Sequence, residues 1–89
     1  MNEGKLISEV ERGRKAQQLL KNEVLQEAFE TLDKEFTTAW KNTSLDQGVE
    51  RDRLYNLCQA LTSLQAYLDS VAQNGRLAEN QLNKIRGIK

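Results

Sequence analysis

Between Leu54 and Gly75 the chain reads LYNLCQALTSLQAYLDSVAQNG, and Asp69 is the only charged residue in it. Every other one of the 13 basic and 13 acidic residues lies outside this stretch. Within it Leu54, Leu57, Leu61, Leu64, Leu68 and Val71 step by three, four, three, four and three. That is an a/d seam, the pattern of a helix packed along a near-parallel or antiparallel neighbour. A strand would instead alternate apolar and polar residues with a period of two. The segment therefore has to be helical, and it has to be covered.

The rest of the chain agrees with helices. It has no proline and is rich in Leu, Ala, Glu, Gln, Lys and Arg, the residues that lose least on entering a helix. Leu25, Phe29, Leu32, Phe36 and Ala39 form a second seam with steps of four, three, four and three. Asn22 stands where an N-cap belongs and Glu23 sits in the first turn, at the positive end of the helix dipole. Asn42-Thr43-Ser44-Leu45-Asp46 reads as a turn. Ser44 or Asp46 would cap the following helix, and Ser44 with Gln47 makes a capping box. Asn74-Gly75 reads as a helix stop. The expected architecture is all-α and a single domain over residues 1–89. Its centre is an antiparallel helical hairpin, about 23–41 and 46–74. An N-terminal helix over about 5–20, interrupted by Gly13, and a short C-terminal helix over about 76–85 complete a small helical bundle.

A simple hairpin would leave the outer side of the long helix in water, where Lys, Glu and Arg belong. Gln59, Ala60, Thr62, Ser63, Gln65, Ala66, Ser70, Ala72 and Gln73 stand there instead. Charge is depleted at the cores of protein interfaces, so these residues form the expected partner interface, the plain alternative being a good helix former facing water. Trp40 and Tyr55 would close the hairpin's turn or act as aromatic anchors for the partner. A chain of 89 residues has a small core, and folds of this size lean on a staple or on a partner. One cysteine and no histidine exclude an internal disulfide and an ordinary zinc site. The expected partner is a protein or further copies of the chain.

Chemistry finds little to stand on. No nucleophile–base pair, phosphate loop or metal motif is present, so no catalytic, cofactor or metal residue is assigned and the chain is read as no enzyme. Cys58 beside the seam has no basic neighbour and reads as a buried, inert thiol. Glu23, Glu27 and Glu30 form a solvated carboxylate row. Net charge is zero, so no global field draws the chain to nucleic acid. Arg12, Arg14 and Lys15 are the candidate phosphate contacts, diluted by Glu9 and Glu11. Lys84, Arg86 and Lys89 complement a helix C-terminus or form a basic tail. No run of about eighteen apolar residues suggests a membrane span, and the N-terminus has no secretory h-region. These points suggest a cytoplasmic protein.

The stretch ERGRKAQQLLKNEVLQEAFETLDKEFTTAWKNT, followed by NGRLAENQL, resembles a group of small helical proteins encoded by tailed phages and prophages. The likeness spans about Glu11 to Leu82. It rests on the Arg-Gly-Arg start, the Leu-Leu and Asn joint, the Phe-x-x-Leu helix and the Trp-Lys-Asn end. Where that group often has proline after the asparagine, this chain has Glu23. The group is mostly of unassigned function and is often found among virion or packaging genes. The resemblance implies a phage structural or assembly accessory of the virion, the head–tail junction or the packaging apparatus. It would be found in the cytoplasm of the bacterial host or in the virion. The alternatives are a phage-encoded inhibitor or modulator of a host protein or nucleoprotein complex, and a small DNA-binding packaging protein.

Overall fold

A computed structural model describes residues 3–87. Among these residues there are three helices and no strand: α1 (Glu3–Leu20), α2 (Glu23–Lys41) and α3 (Gly48–Ile85). The all-α class and the bounds of α2 agree with the sequence. Two expectations do not. The helix expected to begin at Asp46 begins at Gly48, because Gln47 N–H closes a tight turn on Ser44 C=O (3.1 Å) before the Gln47 carbonyl accepts from Arg51 N–H (2.9 Å). Half of the expected capping box forms: the Gln47 side chain accepts from Ser44 N–H at 2.8 Å. The Ser44 hydroxyl does not return the bond to the backbone and pairs with the side chains of Asp46 and Gln47.

The second correction is larger. The helix does not stop at Asn74-Gly75, and no separate fourth helix follows; α3 runs on to Ile85. Gly75 stays in the helix because it faces another glycine. A Cβ on Gly13 would lie 2.6 Å from Gly75 Cα, and one on Gly75 would lie 2.7 Å from Gly13 Cα. No side chain fits between the two backbones there. The glycine that ends α3 is Gly87, whose φ of 70° is left-handed, as a C-terminal glycine requires. Its N–H bonds to Lys84 C=O at 3.2 Å.

The chain divides into two compact units. The first is Met1–Asn22 with Ala66–Lys89, which holds α1 and the second half of α3. These helices run antiparallel, as the pairs Glu3–Arg86 and Arg14–Glu79 show. The buried positions mirror one another. On α1 they are Leu6, Val10, Gly13 and Ala16, with steps of four, three and three. On α3 they are Ala72, Gly75, Ala78 and Leu82, with steps of three, three and four. Small residues sit at the closest approach, and Leu6, Val10, Ala78 and Leu82 form the buried apolar cluster beyond it.

The second unit is Glu23–Gln65 and holds α2, the turn and the first half of α3. Its burial is shallower. Leu25, Phe29, Phe36 and Trp40 are half-buried, and α2 buries no residue fully. On α3 the covered track is Arg51, Leu54, Cys58 and Leu61, and only Leu54 is buried. Leu57 and Leu64, expected in the seam, are exposed. At 3.6 residues per turn the track through Cys58 lies about a quarter turn from the one through Leu57 and Leu64.

The glycine pair makes a sharp prediction. Alanine for glycine inside a helix gains up to about 1 kcal/mol of propensity. At Gly13 the backbone clash should outweigh this gain, as overpacking costs about 1–3 kcal/mol. Gly13→Ala should therefore lower stability by about 1 kcal/mol or more, roughly 4–8 °C in Tm for a chain this size. Gly48→Ala, with open space around it, should cause no loss. Thermal unfolding followed by circular dichroism compares the two.

Candidate functional site

Three surfaces hold the candidate residues. The first is the turn of the second unit. The Arg51 guanidinium carbon lies 4.4 Å from the centroid of the Trp40 ring. Arg51 Nη1 also donates to Thr43 Oγ1 at 2.7 Å and to Thr43 C=O at 3.4 Å. Thr43 Oγ1 in turn donates to Trp40 C=O at 2.6 Å. A planar guanidinium can stack on the ring and donate at its edge, which an ammonium cannot do. Trp40, expected as a partner anchor, is thus half-covered by its own chain. Tyr55, its expected companion, is exposed.

The second surface is the α1–α3 contact of the first unit. Arg12 and Arg14 flank Gly13 and reach opposite sides of the crossing, since two residues turn a helix by about 200°. Arg12 donates to the Tyr67 hydroxyl at 3.3 Å and Arg14 pairs with Glu79 at 3.3 Å. Lys15 is exposed. The three expected phosphate contacts therefore do not converge on one point. A shallow polar groove beside Arg12 is lined by Glu9, Tyr67, Ser70 and Asn74, and it sets a carboxylate next to the arginine. Arg86 pairs with Glu3 at 3.7 Å, so it serves the helix contact. Lys89 lies outside the described residues.

The third surface is the charge-poor side of α3. Gln59, Thr62, Ser63, Gln65 and Ala66 are all exposed. What covers the small residues of the long uncharged segment is α1, and it does so farther along, at Ala72 and Gly75. Another exposed set joins residues expected in the seams, Leu32 and Ala39 on α2 and Leu57 and Leu64 on α3, to Val24, Ala28, Val49 and Ala60, which lie beside them. Its signal was available, because Leu57, Ala60 and Leu64 repeat the three–four step one position away from Cys58 and Leu61.

Cys58 is half-buried rather than fully buried. Glu23, Glu27 and Glu30 are exposed. Among the described residues no three His, Cys, Asp or Glu side chains gather as a metal would need. No helix among them is long and apolar enough to cross a membrane. No family model, no curated protein and no solved structure matches this chain.

The turn can be tested through the one tryptophan. Arg51→Ala should cost about 1 kcal/mol, from the lost stacking and the lost hydrogen bonds together. It should also shift Trp40 emission to the red. Arg51→Lys should recover only part of either effect. Fluorescence-detected urea unfolding reads both quantities.

Proposed function

We propose that this chain is a non-enzymatic assembly accessory of a tailed phage, acting through helix-mediated protein–protein contacts. It would work in the host cytoplasm, within the virion or on a packaging intermediate. The observation that carries the reading is the second unit, where an amphipathic α2 of 19 residues buries none of them fully. A stable helix in water normally buries its apolar stripe. Here part of the stripe and the apolar track beside it stay open, which suits a protein completed by its partner. The phage assignment is supported by the resemblance of the Glu11–Leu82 stretch.

Within this reading the second unit is an antiparallel helical hairpin, with α2 and the first half of α3 meeting through Phe29, Phe36, Leu54 and Leu61. Proton NMR should show cross-helix contacts from the rings of Phe29 and Phe36 to Leu54, Cys58 and Leu61. The assembly role is tested by purifying particles and packaging intermediates from infected cells. The protein should co-purify with one of them in fixed proportion. Its absence from both, with recovery on a host protein, would replace the assembly role with that of a host-directed modulator.

A further inference from the structure

The exposed apolar residues of the second unit form two matching tracks. On α2 the track is Val24, Ala28, Leu32, Glu35 and Ala39, roughly a quarter turn from the half-buried stripe through Phe29 and Phe36. On α3 it is Val49, Arg53, Leu57, Ala60 and Leu64, displaced from the stripe through Leu54 and Leu61 in the same rotational sense. The helices of a hairpin run in opposite directions, so equal rotations bring both tracks to one side of it. The opposite side carries Glu23, Glu30, Lys34 and Lys41 with Tyr55, Gln59 and Thr62. Val24 is 73% exposed, Val49 87% and Leu64 52%, so among the described residues this side stays open.

We propose that this side is a dimer interface, on which a second copy of the chain packs to form an up-down-up-down four-helix bundle. The inference rests on the hairpin reading of the second unit. Charge selects the occupant. Each track has one charged residue, Glu35 on α2 and Arg53 on α3, and they are opposite in sign. Each is nine residues from Ser44 in the turn, which puts them level along the hairpin. A two-fold axis along the hairpin lays α2 of one copy over α3 of the other and brings Glu35 opposite Arg53 of its mate. The surface is therefore complementary to itself, as a two-fold interface must be. Arg53 is held in its own helix only loosely, by Glu50 at 3.7 Å with the arginine side chain 72% exposed, so it is available to turn toward a mate.

Size and spacing agree. An α2 of 19 residues at ~1.5 Å per residue, beside a second helix ~10 Å wide, gives the paired surfaces on the order of 1,000 Å², enough for a specific interface. Leu57, Ala60 and Leu64 have the three–four spacing that meshes with another helix at about 20°. Ala28, Ala39 and Ala60 would let the four backbones approach closely.

The test is mass in solution by sedimentation equilibrium from low to high micromolar concentration, on the whole chain. The expected species has twice the 10.2 kDa chain mass. Ala60→Glu should weaken the dimer at least about tenfold with helicity unchanged. Thr62→Glu, on the opposite side, should leave it intact. Glu35→Arg and Arg53→Glu should each weaken it, and the double variant should recover it. A monomer at all concentrations overturns the proposal, and so does a dimer that Thr62→Glu disrupts or that Ala60→Glu leaves untouched. The ring contacts of Phe29 and Phe36 separate the two readings. If they are present in a monomer, the hairpin stands and the interface falls. If they are missing, both fall, because the two tracks then share no side.

Discussion

The approach of Gly13 to Gly75 is the constraint on which the first unit depends. Two helices normally keep their axes about 8–10 Å apart because their side chains must interleave. Here neither helix has a side chain at the crossing, and a Cβ added to one would stand within 2.7 Å of the other's Cα. The approach explains why two glycines are tolerated inside helices, where each costs about 1 kcal/mol in propensity. It also sets the register. With Gly13 against Gly75, Val10 and Leu6 fall beside Ala78 and Leu82, and the pairs Arg14–Glu79 and Glu3–Arg86 fall within reach at the flanks. Both ion pairs are largely exposed, so they contribute little energy. They follow from the register rather than cause it.

The two units answer the problem of a short chain differently. The first makes close contact between small residues and fully buries its apolar cluster. The second uses larger side chains, among them Phe29, Phe36 and Trp40, and leaves them half in water. Near the turn Arg51 stacks on Trp40 and donates to Thr43, which is itself bonded to the Trp40 carbonyl. Apolar surface left open in one part of a chain that packs tightly elsewhere is surface available for association. The four-helix arrangement proposed above would bury it without asking anything of the first unit.

Periodicity located the helices well, because it depends only on residues near in sequence. The limits of α2, the joint at Lys21-Asn22 and the Ser44–Gln47 contact were all legible in that way. The seam of α3 was legible only in part. Leu57 and Leu64 are as apolar as Leu54 and Leu61, so hydrophobicity could not say which of two adjacent tracks faces the neighbour. The candidate sites fared similarly. Trp40 was recognisable as important near the turn, but its partner Arg51 was not, since a stacked guanidinium leaves no periodic mark. Arg12 and Arg14 looked like a basic cluster because they are close in sequence, whereas on a helix they point apart.

By itself the sequence determined that the described residues are helical apart from their joint and turn, and that neither an internal disulfide nor an ordinary zinc site can staple them. Those conclusions follow from composition and from local spacing, which need no knowledge of neighbours. Only the tertiary structure decided what Gly75 does. Read alone, Asn-Gly after a helical run is a stop, because glycine adopts the left-handed conformation that ends helices. Opposite Gly13 it serves the reverse purpose, since the absent Cβ allows a second backbone to pass and the helix to continue. A glycine's local preference is weak, and a contact between residues 62 positions apart, which no local pattern encodes, overrides it.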